Sequence, residues 1–468
     1  MIKKINFSYI NSKFIKPLYL VFFSLVVLFG RSFTGIYILE YRLGELMVGF
    51  LILVGIWILL YPAKNQPSYF GLTNTYIHKL ILANFVISVL LTQGSFVNTY
   101  TYQSSSYIWT LGFLLLGVTI LKDFNLSKNN IYIFASFLPA LYVLSSVKFP
   151  KFIMDFFINY SDKFDFVKAS DLLIVFVATN FLMSLVYKNN KNDFVYFILS
   201  SAAYLPYLLF KSKGAFFPAV IFIFFNLYYF IKFMKKNKTF SFVIILISIF
   251  TFLISTFHIY GNFNFTKEGQ ENFDDISLTD TTSIVSNLSM LLEEKNTSQI
   301  FASFYIFDGR LYSQEQMADW RLQIWQDISR DIFWYADYST NSKGTVIRDQ
   351  KQPRYDLFYR GFGYNEKLPA MDFSERSGTD GTNENPHNFL IYSLGRGGLF
   401  NLLLFSTFHF SIIVYFYKRD KSFKTLLFLI PVLMTSFFDA SMESVRFPFV
   451  YYTYMAIVYN FTNKTISE

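Results

Sequence analysis

The residues with the clearest chemical potential lie at one boundary, where a polar stretch meets an apolar run. His387 and Asn388 directly follow the polar stretch 259–386 and open that run. A neutral imidazole accepts a proton from a hydroxyl group, a general-base role worth about 10²–10⁴ in rate. Asn385 and Pro386 favour a helix start, with Asn385 as N-cap and Pro386 as the first helical residue. The positive end of a helix disfavours imidazolium, so His387 is expected to be neutral. A histidine that only caps a helix at an interface fits the same pattern.

Cationic residues suited to phosphate occur in two other places. Arg321 and Trp325 are four residues apart within 320–328, a spacing that puts both on one helix face. A guanidinium binds phosphate oxygens in pairs, and an indole suits the face of a sugar ring. Lys211 and Lys213 add two positive charges between apolar segments. An ordinary amphipathic helix has the same Arg-Trp spacing, so both interpretations of 320–328 remain open.

Further ionisable residues lie at the ends of apolar segments. Asp439, Glu443 and Arg446 separate the last two segments, and Asp171 opens an earlier one. Ionisable residues inside a membrane are costly and usually mark a working site or a pair. Anchoring at helix ends explains any one of these charges, but their clustering on one predicted side favours a site. The middles of the apolar segments carry few acids, bases or histidines.

Metal and thiol chemistry are not expected. The chain has no cysteine, and its four histidines are scattered along the sequence: His78, His258, His387 and His409. Zinc sites in proteins draw on closely spaced histidine and cysteine ligands, and no such spacing occurs here. We therefore predict a reaction without a metal ion or a cofactor.

The composition indicates a polytopic, all-α membrane protein. The chain of 468 residues is 53% hydrophobic and 21% aromatic, and 16% of it is charged, against roughly 25% in an average soluble domain. A transmembrane helix takes about 20 predominantly apolar residues. Twelve segments of this kind are predicted: 17–37, 43–61, 77–93, 105–121, 131–147, 169–187, 193–210, 214–233, 241–258, 387–416, 425–439 and 446–462. The placement of the formal charge of +9 in short loops indicates a membrane rather than nucleic acid as the partner.

The distribution of lysine and arginine sets the predicted orientation. Short cytoplasmic loops collect these residues, and every loop predicted to be inside is basic. Both termini are therefore expected in the cytoplasm, with the N-terminal segment acting as a signal anchor. The chain divides into a membrane domain at 1–258 with about nine helices, an extracytoplasmic domain at 259–386, and a membrane domain at 387–468 with about three helices. The stretch 150–168 is predicted to form an interfacial helix.

Four segments in order resemble the O-antigen ligase and O-antigen polymerase superfamily of bacterial membrane glycosyltransferases. The first is a His-Asn pair followed by an apolar stretch and a Gly-Leu, here 387–399. The second is an Arg-x-x-x-Trp on a helix of the large outer loop, matched by Arg321 and Trp325. The third is a Gly-x-Gly turn between them, matched by Gly361 and Gly363.

The fourth segment is Ser-Arg-Gly-Ala at an outer helix start, which is similar to 212–215 of this chain. Lys213 stands in the place of its arginine, which keeps the charge but loses the bidentate geometry. Arg396 stands where the family often has an acid, and it is expected to face a partner other than His387. Asn401 stands where a second glycine is common. The resemblance covers 205–405, and the remainder matches in topology alone.

The resemblance implies a GT-C-like fold and transfer of a glycan from a polyprenyl-diphosphate donor to a glycan acceptor, at the outer face of the bacterial inner membrane. His387 would be the general base, and Arg321 and Lys213 would stabilise the leaving diphosphate. The implied partners are the lipid bilayer, a chain-length regulator and a flippase. The residues expected to bind substrate are Lys211, Trp325, Asn388, Gly361, Gly363, Asp439, Glu443 and Arg446.

Several functions remain open. Polymerisation of O-antigen or other surface polysaccharide repeat units is favoured within the family. A ligase that moves the finished chain to lipid A-core and a protein O-oligosaccharyltransferase are the alternatives. A lipid-linked saccharide flippase belongs to a different class, and it would need polar groups along a path through the membrane. A non-catalytic member of an assembly complex would tolerate the loss of His387.

Overall fold

The computed structural model describes residues 12–62, 69–146, 150–161, 167–188, 190–262, 304–307, 309–313, 316–340, 346–353, 355–371, 384–420 and 424–464. These residues are mostly helical. Their strands occur as three two-stranded antiparallel hairpins.

The helices carry the fold, and their order follows the chain. They are α1 (Ser12–Thr34), α2 (Leu43–Leu60), α3 (Leu72–Leu91), α4 (Thr99–Ser104), α5 (Ser106–Trp109), α6 (Gly112–Ile120), α7 (Ile131–Ala135), α8 (Phe137–Ser146), α9 (Lys151–Tyr160), α10 (Ala169–Tyr187), α11 (Lys191–Lys211), α12 (Lys213–Lys236), α13 (Lys238–Asn262), α14 (Gln316–Phe333), α15 (Tyr355–Arg360), α16 (Phe389–Asp420), α17 (Leu426–Thr435) and α18 (Arg446–Lys464). The hairpins are β1–β2 (Tyr37–Ile38, Tyr41–Arg42), β3–β4 (Phe304–Phe307, Arg310–Ser313) and β5–β6 (Trp334–Thr340, Val346–Pro353).

Eight helices in the described ranges are long and apolar enough to cross a membrane. They are Phe14–Thr34, Leu43–Leu60, Thr73–Leu91, Ala169–Tyr187, Lys191–Lys211, Lys213–Lys236, Lys238–Tyr260 and Phe389–Arg419. A ninth results if α7–α8 and α9, which meet at an angle of 81°, form one broken span. The predicted segment 105–121 is divided between α5 and α6, and the predicted segment 425–439 contains the ten-residue α17. The helical membrane architecture thus has eight candidate spans, and the number twelve stays a prediction.

Helix α10 lies at the centre of the bundle. It packs against α11, α12, α17 and α18. Within an apolar stretch of 18 residues, 83% of the residues of α10 are buried, whereas only 17% are buried in the corresponding stretch of α13. Helix α13 packs mainly on α11 and exposes apolar side chains such as Phe242, Phe250 and Ile254. An apolar surface of this extent is stable only when an apolar medium or another protein covers it.

The polar stretch contains a small assembly around α14. Ile324, Ile328 and Ile332 recur every four residues and are fully buried, which is the pattern of an amphipathic helix. The helix packs on strand β4, on α15 and on the first part of α16. The prediction of a helix at 320–328 is therefore confirmed. The stretch differs from the prediction at both ends, because α13 continues to Asn262 and α16 begins only at Phe389.

Helix α16 bends at Gly398, where φ is 71° and ψ is −171°. The bend frees carbonyls that a continuous helix would use, and the turn after α15 takes them. The N–H of Phe362 donates to the carbonyl of Gly395 at 2.8 Å, and that of Gly363 donates to the carbonyl of Arg396 at 2.9 Å. Gly361 has a φ of 67°, and a Cβ there would lie 2.6 Å from the backbone of Arg396. Glycine is required at this contact because any side chain would collide with the bent helix.

Candidate functional site

The backbone at His387 adopts a conformation that is unusual for a residue with a side chain. Its φ is 53°, in the left-handed region. Two hydrogen bonds hold this turn: the His387 N–H donates to Asn385 Oδ1 at 2.8 Å, and Trp325 Nε1 donates to the carbonyl of Pro386 at 2.6 Å. Strained residues of this kind cluster at functional sites.

The predicted helix start needs a correction. Asn385 is not the N-cap of α16; Asn388 is, because its Oδ1 accepts the N–H of Ile391 at 3.1 Å. Asn385 instead closes a tight turn onto His387. His387 consequently precedes the helix and does not lie in its first turn, so the helix start predicted at Asn385 is wrong. His387 lies two residues before the first residue of α16.

The imidazole of His387 faces a carboxylate. Its Nδ1 lies 3.8 Å from Oδ1 of Asp439, and the two side chains are 22% and 25% exposed. This separation exceeds a hydrogen bond but lies within ion-pair range once the imidazole is protonated. The ring of Trp320 packs edge-on against His387, with 5.9 Å between the ring centroids. A histidine oriented by an acid on one nitrogen is the arrangement of a general base.

Asp439 is held in its ionised form. Burial by itself raises the pKa of its carboxyl, but the surrounding donors and charges outweigh burial and bring the pKa well below its usual range. These groups are His387, the ammonium of Lys168, the hydroxyl of Ser170 and the guanidinium of Arg446. The carboxylate is therefore available to stabilise an imidazolium at neutral pH.

A buried ion pair fixes the segment that carries Asp439. Arg446 Nε donates to Oδ2 of Asp171 at 2.7 Å, with side chains only 7% and 11% exposed. The backbone N–H of Lys168 also donates to Asp171 Oδ2, at 3.3 Å. Arg446, expected from the sequence to bind substrate, thus joins the start of α18 to the start of α10.

Arg321 and the start of α12 both contact Phe438, the residue before Asp439. Arg321 Nη1 donates to the carbonyl of Phe438 at 2.8 Å, directly beside Asp439 in the chain. A Cβ on Gly214 would lie 2.8 Å from Cβ of Phe438, so the start of α12 touches this residue closely. Lys213 is the first residue of α12. Gly214, the residue after Lys213, therefore packs next to Phe438, and the guanidinium of Arg321 lies beside the backbone of the segment that carries Asp439.

Glu443 differs from Asp439 in its protonation. Both of its carboxyl oxygens are buried, and neither has a hydrogen-bond partner in the described part of the chain. Burial raises the pKa of Glu443 to about 8, and the charge of Asp439 adds to this, whereas the side chain of Asn385 opposes it. The pKa values of the Asp439 and Glu443 carboxyls are thus shifted in opposite directions, which is typical of sites that transfer protons.

Two expected site residues, Gly361 and Gly363, have other surroundings, and Arg396 faces partners other than His387. Gly361 and Gly363 contact the bend of α16 and Thr92, as described above, rather than His387. Arg396 is fully buried and donates to Tyr100 Oη at 2.9 Å and to the carbonyl of Gly363 at 3.3 Å. These residues brace the helix that follows His387. Lys211 ends α11, two residues before Lys213.

The sequence did not identify three residues at the site. Lys168 and Ser170 act on Asp439, and Trp320 packs on His387. Lys168 carried one local signal, since Asp171 three residues later matches a helix-capping pattern. In the described residues no group of three or more histidine or acidic side chains is arranged to hold a metal ion.

Comparison of the chain with protein-family models, with curated proteins and with solved structures gave no match.

Proposed function

We propose that this chain is a membrane glycosyltransferase that acts on polyprenyl-diphosphate-linked oligosaccharide, polymerising O-antigen or other surface polysaccharide repeat units. One observation carries the proposal: four distant segments meet around a single histidine–carboxylate pair flanked by cations. They are 212–214, 321–325, 385–388 and 438–439. The sequence resemblance rests on three of the same segments.

We place the chain in the bacterial inner membrane. The eight apolar helices and the exposed apolar side chains of α13 support a lipid surrounding. The basic loops predicted to be inside support cytoplasmic termini and an outward-facing 259–386 segment. In this orientation the His387 site lies at the outer face, where lipid-linked sugars are joined.

The proposed reaction uses the two faces of the imidazole. Because Nδ1 of His387 faces Asp439, Nε2 is left to take the proton of the acceptor hydroxyl. The acceptor oxygen forms a bond to the anomeric carbon, and the bond from that carbon to the diphosphate oxygen breaks. The polyprenyl diphosphate leaves with the electron pair, and Arg321 and Lys213 stabilise its charge. Asp439 stabilises the imidazolium that forms.

Loss of the base tests this proposal in cells. Cells that lack the chain are complemented with the wild type, with His387→Ala or with His258→Ala. His258 is a matched control, because it lies near the end of α13 and its ring contacts Ser146, the last residue of α8. We expect His387→Ala to reduce the long polysaccharide ladder to core plus one repeat unit, with normal protein levels. Loss of all attached polysaccharide, with long lipid-linked chains accumulating, indicates a ligase instead. An unchanged ladder overturns the catalytic assignment.

A lipid-linked saccharide flippase is the second candidate, and one observation favours it. His78 and His409 are buried within α3 and α16, although the sequence analysis expected few ionisable groups there. His409 lies on the order of 30 Å along α16 from Phe389, so it is remote from the proposed site. A transporter would need such groups along its path. Replacement of His409 by Phe would then abolish function, whereas the transferase proposal predicts that the polysaccharide ladder is kept.

A further inference from the structure

The carboxyl of Glu443 is a buried acid at the site that the proposed reaction does not use. Its residue is anchored from the other side, because Ser106 Oγ donates to the backbone carbonyl of Glu443 at 2.7 Å. Its two side-chain oxygens are buried without a hydrogen-bond partner in the part of the chain that the structure describes. A carboxyl in this situation keeps its proton, since the charged form has lost its water and the side chain of Asn385 does not compensate for that loss.

The groups that face Glu443 come from four parts of the chain. Asp439 lies four residues earlier on the same connection and is ionised. The side chain of Asn385 approaches from the segment before α16, and Tyr392 approaches from α16 itself. Ser106 supplies the contact from α5. One negative charge is already present in Asp439, so a second beside it is strongly opposed.

Asn385 connects this carboxyl to the proposed base. Its Oδ1 accepts the N–H of His387 at 2.8 Å, and the same side chain interacts with Glu443. The bond that the His387 N–H donates to Asn385 is one of the two that hold His387 in its left-handed conformation. Asn385 therefore lies between the carboxyl of Glu443 and the backbone of His387.

We propose that Glu443 is a positioning residue for His387, which keeps Asn385 and the His387 turn in place while it is protonated and weakens the site when it ionises. The inference rests on the proposed transferase activity. Ionisation would put a second negative charge beside Asp439, where an anionic diphosphate must approach. It would also draw the amide of Asn385 toward the new carboxylate and away from His387.

The protonation of Glu443 is measurable without any substrate. Purified full-length protein in lipid nanodiscs is titrated from about pH 6 to about pH 9 and followed by infrared difference spectroscopy. We expect the wild type to lose a protonated-carboxyl band over this range and Glu443→Gln to lack that band. The band must persist in Asp439→Asn, and we expect its loss at lower pH than in the wild type, because the charge of Asp439 raises the pKa of Glu443. The same band in Glu443→Gln as in the wild type overturns the proposal.

The positioning role is measured by transfer in the same nanodiscs, with lipid-linked oligosaccharide extracted from cells that lack the chain. We expect Glu443→Ala to lower the rate about tenfold to a hundredfold, as expected when a base is misplaced by about 1 Å. Glu443→Gln, which keeps the shape of the protonated acid, should restore most of that loss and remove the fall in rate at alkaline pH. A purely structural role predicts the same alkaline fall in Glu443→Gln and in the wild type.

His387→Ala separates the two proposals. If it transfers as well as the wild type, the proposed function fails, whatever the infrared titration of Glu443 gives. If it is inactive and Glu443→Gln retains the wild-type pH profile, the function stands and the role of Glu443 is refuted.

Discussion

Replacement of Trp325 by Phe should weaken the His387 site while leaving the fold intact. The indole Nε1 donates to the carbonyl of Pro386 at 2.6 Å, directly before His387. Phenylalanine retains an aromatic ring for packing but removes the donor. Pro386 is buried, so its carbonyl would be left without this partner.

The magnitude follows from the balance at this turn. A left-handed backbone costs a residue with a Cβ about 1–2 kcal/mol, and His387 has a φ of 53°. The two hydrogen bonds that hold the turn contribute about 0.5–1.5 kcal/mol each. Losing the bond that Trp325 donates removes most of the free energy by which the two hydrogen bonds exceed the cost of the left-handed backbone. At about 1.4 kcal/mol for each factor of ten, a loss of about 0.5–1.5 kcal/mol should lower the transfer rate about twofold to tenfold.

A matched control isolates the position of the lost bond. Trp109 Nε1 donates to Ser105 Oγ at 2.9 Å in a buried contact on α5. Trp109→Phe therefore removes an equivalent donor without touching the His387 turn. We expect both variants to be destabilised to a similar extent, with the fall in transfer rate only in Trp325→Phe. Equal rates for the two variants, at equal amounts of folded protein, would refute the reasoning.

Three further changes have defined outcomes. The pKa of Glu443 is raised from 4.5 to about 8, so the wild type should lose several kcal/mol of stability as the pH rises between these values, at about 1.4 kcal/mol per unit. Glu443→Gln should escape that loss, and its melting temperature should exceed that of the wild type near pH 8 and not near pH 4. Gly361→Ala should lower the melting temperature far more than Gly309→Ala, because both glycines have positive φ but only the former would meet backbone within 4 Å. Asp171→Asn should cost about 3–5 kcal/mol because it removes the charged partner that Arg446 contacts at 2.7 Å in a buried pair. Glu45→Gln, in a surface pair exposed by about 40%, should cost less than about 1 kcal/mol; membrane levels and melting curves check both.

The long apolar helices could be predicted because hydropathy alone sets them. The predicted segment 169–187 coincides with α10, and the predicted segment 43–61 ends one residue beyond α2. The predicted segment 105–121 failed as one helix for a reason that hydropathy does not register. The break lies between α5 and α6, where the hydroxyl of Thr110 donates to the carbonyl of Tyr107 at 3.1 Å, a local side-chain bond that competes with helical hydrogen bonding.

The site was predictable where its signals are local. The spacing of Arg321 and Trp325 predicted one helix, α14, from which Arg321 reaches the carbonyl of Phe438 and Trp325 reaches that of Pro386. The helix start at Asn385 was wrong because the turn at His387 depends on a hydrogen bond from Trp325, 61 residues away in the chain. Lys168 could not be assigned, since its effect on Asp439 arises only when α10 and the last connection meet.

The most direct test of the central claim is transfer by the purified chain. Wild-type protein and His387→Ala are reconstituted in lipid nanodiscs with lipid-linked oligosaccharide from cells that lack the chain, and the products are separated by length. The account predicts that the wild type forms longer lipid-linked glycans and releases polyprenyl diphosphate, and that His387→Ala does neither. Equal product from the two proteins would contradict the role of His387, and no new glycosidic bond from active wild-type protein would contradict the transferase itself.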